Sequence, residues 1–274
     1  MVSSHRLVFA LPHWAPTAMS RSPRVDYDKI AHLWDAQPFR SKSLDPQLVA
    51  FIRERASDMP IRLLDIGCGT GSQLIANRAG APDAQMVGTD QSLGMLRQAR
   101  AKAPEIAWVR ANAAALPFAA ASFDFIGCQF AFHHFRDKAG VLGEALRLLC
   151  PGGRFVLRNM CPEECADWLC YEYFPAARAA DLRDFWPVAK LMAAMQATGL
   201  AAVAVEYEHI RFEQNLADWL DHVRHRYTCS QLQTIPDAAY AAGVRRLESE
   251  VADPTAPRSR ADHLCLATIR GEKR

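Results

Sequence analysis

The sequence has no Cys-x-x-Cys pair, no dense run of lysine and arginine, no internal repeat and no apolar stretch long enough to cross a bilayer. Each absence excludes something. Without cysteines at ligand spacing, a zinc ribbon has no support. Without a basic stripe interleaved with aromatics, and with a formal charge of only +2, a nucleic-acid partner is not expected. The N-terminal piece LVFALPHW is short and broken by Pro12, so it reads neither as a signal peptide nor as an integral membrane segment.

What is there fits a globular α/β chain. Hydrophobic residues make up 50% of the 274 residues, enough to bury a sizeable core. The eight cysteines are scattered, several of them inside apolar runs. That usage fits a reduced, cytoplasmic protein better than a disulfide scaffold. Cys161, Cys165 and Cys170 cluster in sequence. Helix packing is the plain explanation, and a soft-metal or metalloid site is the alternative. Residues 1–24, with Pro12, Pro16 and Pro23, read as a flexible tail, and Met19 offers a second start. Residues 25–274 read as one domain.

Apolar runs punctuated by glycine or acid recur along this domain. Arg62–Gly71, Ala84–Asp90, Ile106–Ala111, Phe123–Phe130 and Gly152–Met160 read as strands or strands breaking into loops. Helix-like segments lie between them at Ser72–Arg78, Leu93–Lys102 and Lys138–Leu149. The alternation predicts right-handed βαβ units and a parallel sheet. Ala201–Ile210 and His263–Gly271 read as two further strands, which makes seven. The expected fold is therefore a doubly wound, mostly parallel seven-stranded Rossmann-like sheet. A helical cap, over about 163–183 and 211–261, is expected to interrupt its second half, chiefly between the last two strands. The aromatics Trp168, Tyr171, Tyr173, Phe174, Phe185 and Trp186 could line a pocket or fill a core.

LLDIGCGTG follows the first strand and opens a helix. Gly67, Gly69 and Gly71 let the backbone turn sharply and approach a ligand. Their spacing is not G-x-G-x-x-G, which weakens a dinucleotide reading. Asp90 ends the second strand about twenty residues further on, where an acid can accept from both ribose hydroxyls. A nucleoside ligand without a pyrophosphate fits both features. CQFAFHHF, after the fourth strand, ends in His133 and His134. An imidazole there suits proton removal, and packing beneath the next helix is the bland reading. Strand alternation would send the two rings opposite ways. Adjacent histidines do not readily chelate one metal, so no metal is expected.

These stretches resemble class I S-adenosylmethionine-dependent methyltransferases, closest to the ubiquinone/menaquinone C-methyltransferase-like group of small-molecule enzymes. The resemblance rests on YDKIAHLWD, LLDIGCGTG, VGTDQSLGMLRQA, ANAAALPFAAASFDFI, FAFHHF and LCPGGRFVL, collinear over about residues 25–160. It implies that S-adenosyl-L-methionine is the cofactor. It places Asp65, Gly67, Gly69 and Gly71 around the methionine moiety and Asp90 on the ribose. Gln91 and Met95 lie near the adenine or sugar, Asn112 and Ala113 at the adenine edge, and Gln129 at the methionine part. Tyr27 falls in an N-terminal segment that closes over the cofactor in relatives. Asn112 and Ala114 depart from the family's usual acids. The Asn112 amide oxygen can still accept a hydrogen bond.

The implied activity is methyl transfer to O, N, C or S of a small-molecule acceptor, with His133 favoured over His134 as a base. DWLDHVRHRYTC offers His222, Arg224, His225, Arg226 and Tyr227 for an acidic acceptor or for a solvated face. A non-catalytic cofactor-binding regulator is the alternative, and a nicotinamide dehydrogenase a weaker third. Oligomeric state is not readable from the sequence.

Overall fold

A computed structural model describes residues 25–36, 42–55 and 59–274. The tail expected over 1–24 lies outside the described residues. Two helices precede the sheet, α1 (Tyr27–Trp34) and α2 (Pro46–Glu54). Then β1 (Arg62–Ile66), α3 (Ser72–Arg78), β2 (Gln85–Asp90), α4 (Leu93–Lys102), β3 (Ala107–Arg110) and β4 (Phe123–Gln129) follow in turn. After them come α5 (Lys138–Leu148) and β5 (Leu149–Met160). A first helical insert holds α6 (Leu169–Tyr173), α7 (Pro175–Asp184) and α8 (Val188–Thr198) before β6 (Ala201–Asn215). A second holds α9 (Leu216–Val223), α10 (Ser230–Thr234) and α11 (Asp237–Ala252) before β7 (Ser259–Glu272).

The seven strands form one sheet in the order β3-β2-β1-β4-β5-β7-β6. β7 runs antiparallel to both neighbours, and the other pairings are parallel. Period-two alternation buries both faces of the sheet. Leu64 and Ile66 of β1 join one apolar cluster with α5 and the inserts, while Leu63 joins another with α2, α3 and α4. Helix starts are written locally. Asp45, Ser92, Asp137 and Asn215 each accept a backbone N–H of the first turn that follows. Each such cap is worth about 1 kcal/mol.

Two boundaries differ from expectation. β6 continues to Asn215 and β7 begins at Ser259, so 211–215 and 259–261 are strand, not cap. Residues Ala204 to Asn215 pair with β7 along an unbroken antiparallel ladder. Those backbone hydrogen bonds override a polar local composition. No helix among the described residues is long and apolar enough to cross a membrane.

Strand order reverses between β1 and β4, so their carboxyl ends diverge into a crevice. The glycine loop leaves β1 there, and the two histidines leave β4 there.

Candidate active site

A cavity of about 880 Å³ opens at the carboxyl ends of the strands. Its walls include Tyr27, Asp65, Gly67, Gly69, Asp90, Gln91, Met95, Ala113, Gln129, His133 and His134. The structure thus brings together eleven of the thirteen residues singled out from sequence. The other two have structural work. Gly71 begins α3 at φ +78°, and a Cβ there would lie 2.4 Å from the Trp108 ring. Asn112 turns its side-chain oxygen to the Ala114 N–H at 3.2 Å, which closes its own turn.

One half of the cavity is made by loops. Gly67 sits at φ +75°, and a Cβ there would meet the Ala131 Cβ at 2.4 Å, so only glycine lets these two loops touch. The Gly67 and Cys68 N–H groups donate to the Thr89 carbonyl at 2.8 and 2.9 Å, tying the glycine loop to β2. Asp90 accepts from the Gly69 N–H at 2.9 Å and the Ser92 N–H at 2.8 Å. Burial raises its pKa, and those amides partly offset the rise. One lone pair on each oxygen is left to face a ligand. Asp65 is buried, and its Oδ1 has no hydrogen-bond partner among the described residues. Burial pushes its pKa up to about 7, against the pull of Lys42. An orphaned carboxylate oxygen beside a glycine cradle calls for a cationic donor group. The α-ammonium of S-adenosylmethionine is such a group, so the residues present fit that cofactor.

Helix α1 lies over this half and is pinned at both ends. Asp28 accepts from Ser92 Oγ at 2.8 Å and from the Gly94 N–H at 2.5 Å, at the start of α4. The Gly94 hydrogen bond holds the Asp28 carboxyl below its usual range. Asp35 takes Lys102 Nζ at 2.6 Å and Thr70 Oγ1 at 2.6 Å. Gln129 Nε2 donates to Asp45 Oδ2 at 2.9 Å, which ties β4 to the start of α2.

His133 and His134 stand between the two halves, with ring centroids 3.8 Å apart. They occupy a single 3₁₀ turn, Phe132–His134, so strand alternation does not separate them as the sequence reading supposed. Both face the cavity. Their environments differ. His133 stacks on Phe185 at 4.1 Å, with ring planes 10° apart. Burial, reinforced by the charges of His134 and Lys138, lowers its pKa well below the ordinary value. Asn159 Oδ1 accepts from the Met160 N–H at 3.1 Å, which points its Nδ2 at His133 Nδ1, 3.2 Å away. If Nδ1 accepts from that amide, a neutral His133 carries its proton on Nε2. His134 Nε2 instead meets the Tyr27 hydroxyl at 2.7 Å.

The other half is built from the inserts and from β7. Trp168, Phe185, Trp219, His222, Leu264 and Leu266 line it, with Cys170, Thr228 and Cys229. The aromatic group divides here. Tyr171 donates to Asp181 at 2.8 Å, Tyr173 bonds Glu250, and Phe174 stacks on Tyr240, all inside the packing. Trp186 packs edge-on against Phe132. Of the basic segment, only His222 reaches the cavity. Arg224 pairs with Glu248 at 2.9 Å and Arg226 with Asp237 at 2.5 Å. The cysteine cluster divides too. Cys165 accepts from the Cys265 N–H at 3.0 Å, and Cys161 N–H donates to the Cys265 carbonyl at 2.9 Å. Cys170 lies apart from them, in the apolar packing at the cavity wall. No metal-holding group of three or more His, Cys, Asp or Glu occurs among the described residues.

Sequence reasoning missed Asn159, Trp219 and Cys229 as wall residues. Asn159 near the carboxyl end of β5 was findable from the rule that ligands sit outside strand ends. The other two lie on inserts without a motif.

Known proteins carry the same pattern. A family profile described as "Methyltransferase domain" matches residues 64–157. A demethylmenaquinone methyltransferase of Thermus thermophilus is 39% identical over 119 residues, covering 40% of this chain and 54% of that protein. A 27-O-demethylrifamycin SV methyltransferase of Amycolatopsis mediterranei is 35% identical over 120 residues, covering 42% and 43%. The chain thus spans about half the length of the curated relatives it matches. A putative methyltransferase from an antibiotic biosynthesis pathway of Anabaena variabilis superposes with TM-score 0.61 at 20% identity, over 84% of this chain and 99% of that one. Over residues 64–157 the chain is thus similar to methyltransferase domains, and its glycine loop, strand-end acid and sheet order give it the Rossmann-like fold of the solved structure.

Proposed function

We propose that this chain transfers a methyl group from S-adenosylmethionine to a small-molecule acceptor whose reacting atom sits beside His133 and His134. The observation that carries the reading is the position of the two imidazoles. They touch each other where the loop-built half meets the aromatic half of one cavity. The relatives named for demethylmenaquinone and 27-O-demethylrifamycin SV support a small-molecule acceptor.

When bound, the cofactor supplies an electrophilic sulfonium methyl group for in-line displacement. Asp65 would hold its ammonium, Asp90 the ribose hydroxyls, and Gly67 and Gly69 would let backbone approach. Met95 and Ala113 supply apolar wall, and Gln91 and Gln129 supply polar edges. Helix α1 excludes water by closing the loop-built half. Alignment alone supplies much of such a rate, with effective molarities of about 10⁵ M or more.

The histidines take different roles. Neutral His133 donates from Nε2 to the acceptor's oxygen or nitrogen and orients it. His134 with Tyr27 accepts the acceptor's proton, for a phenol, thiol or activated carbon acid. Closing α1 brings the Tyr27 hydroxyl to His134, so the lid completes the base. Trp168, Trp219, Leu264 and Leu266 fit an uncharged, largely apolar acceptor body. Thr228 and Ser230 offer hydroxyls to its polar edge.

The test is a screen of phenols, quinols, thiols and amines with radiolabelled methyl donor, following label into product. Thermal protection is measured alongside. Protection by NAD but not by adenosylhomocysteine would sink the reading. Protection by adenosylhomocysteine with no turnover on any acceptor class would favour a non-catalytic binding module.

A further inference from the structure

An imidazole can carry its proton on either ring nitrogen, and its neighbours decide which. For His133 the deciding neighbour is Asn159, near the carboxyl end of β5, the strand beside β4 in the sheet. Asn159 is only 8% exposed, yet it lines the same cavity as His133. The Met160 backbone N–H, which can only donate, meets Asn159 Oδ1 at 3.1 Å. That contact identifies the amide oxygen, so the other arm is Nδ2, which can only donate as well. Nδ2 lies 3.2 Å from His133 Nδ1. Phe185, stacked on the ring at 4.1 Å with planes 10° apart, holds its tilt. No other side-chain hydrogen bond of His133 occurs among the described residues. Nε2 is the nitrogen left for a ligand in the cavity.

We propose that Asn159 is a positioning residue whose Nδ2 donor keeps His133 in the Nε2–H form, so that His133 offers a proton to the acceptor molecule and does not take one. A proton on Nδ1 would set two donors against each other and strand a buried amide N–H. Leaving such a group unpaired disfavours that form by about 10-fold or more. The imidazolium carries both protons and meets the same obstacle. Burial acts in the same direction, reinforced by His134 and by Lys138 at the start of α5. The other ionisable groups on the surrounding walls are Tyr27, bound to His134, and Asp184 beside Phe185, paired with Arg183 at 2.9 Å. An acceptor molecule is therefore selected by a bare oxygen or nitrogen next to its reacting atom, and an ammonium in that place is rejected. This selection deepens the methyltransferase reading and rests on it; the proton position does not.

The proton position is read by long-range ¹H–¹⁵N correlation on the ¹⁵N-labelled full chain, because bare and protonated ring nitrogens resonate far apart. The His133 signals are identified by their loss in His133→Gln. Wild type is expected to show the Nε2–H form from about pH 6 to about pH 8. Asn159→Asp keeps the shape but turns the donor into an acceptor. It is expected to move the proton to Nδ1 and to make His133 easier to protonate. Asn159→Leu removes the donor and should give a mixture of both forms. An Nδ1–H form in wild type, or an Nε2–H form unchanged in Asn159→Asp, would overturn the proposal; if neither variant folds, the wild-type spectrum decides. With an acceptor in hand, Asn159→Asp should lower kcat/KM by about 10-fold and shift its pH profile, with adenosylhomocysteine protection intact. An unchanged kcat/KM and pH profile despite a moved proton would overturn the positioning role. The spectra need neither methyl donor nor acceptor, so failure of every acceptor to turn over would count against the methyltransferase reading and leave the proton position standing.

Discussion

The two halves of the cavity are made in different ways. The loop-built half uses backbone: a left-handed glycine, amide donors, and two acids at the ends of adjacent strands. The insert-built half uses side chains on or flanking the helices between β5 and β7, chiefly Trp168, Phe185, Trp219 and Cys229. Backbone geometry at a strand end is dictated by the sheet and tolerates little change. A wall of side chains on inserted helices can be rewritten residue by residue. A fixed donor and a variable acceptor call for that division. His133 and His134 sit on the seam.

The division can be broken by substitution. Gly67→Ala is expected to have the largest effect. Its methyl group would lie 2.4 Å from Ala131 Cβ at a positive φ, so the loop must move. The strain alone is about 1–2 kcal/mol. Adenosylhomocysteine should no longer raise the melting temperature, and protection at the wild-type level would refute the loop-built cofactor half. Next is His134→Asn, at the seam. Turnover should fall by ~10²–10⁴-fold with cofactor protection intact. Tyr27→Phe should fall less, and an unchanged kcat in both would leave the couple without a chemical role. Trp219→Ala comes third. It should raise the acceptor KM by about 10-fold, from lost aromatic contact, and leave cofactor protection unchanged. A cofactor defect in that variant would mean that the two halves are not independent.

The smallest effect expected is a pH dependence. Burial raises the pKa of Asp65 to about 7, so the folded chain holds a proton that the unfolded chain releases near pH 4. Asp65 therefore favours the ligand-free fold at low pH, and that contribution is lost as pH rises through about 7. Asp181, raised to about 7 by burial, acts in the same direction. His133 acts in the opposite one. Its lowered pKa makes the fold reject a proton, so its contribution is lost as pH falls below about 6.5. A cationic ligand group on Asp65 favours the carboxylate. Protection by adenosylhomocysteine should therefore grow from pH 5 to pH 8, by roughly 2–4 °C for about 1 kcal/mol. Asp65→Asn should flatten that growth. A pH-independent difference in wild type would remove Asp65 from the ammonium site.

How far each half was legible follows from the same contrast. The glycine loop and Asp90 lie at ends of strands whose apolar runs are short, so local pattern located them, while Gln129 came only with the family resemblance. Asn112 closes its own turn, a use of the asparagine oxygen that the sequence does not distinguish from ligand binding. The histidines were placed at the right strand end. Their relation was misread, because a 3₁₀ turn and a strand are not told apart by three residues.

The inserts were legible as helical but not as a wall. Of the aromatics named there, periodicity could not say that Phe185 stacks on His133 while Tyr171 turns to Asp181. The cysteine cluster shows the same limit. Cys161 and Cys165 found Cys265 on the last strand, and Cys170 found the cavity wall.

By itself the sequence determined the alternation of strands and helices, the turn chemistry of the glycine loop and the acid that follows it. Those depend on contacts within a few residues and on the rigid period of a strand. The tertiary structure alone decided which imidazole lies against Asn159 and Phe185 and which meets Tyr27. It also decided which cysteines and which aromatics line the cavity. These depend on burial and on partners far away in sequence, and neither is encoded within a local window.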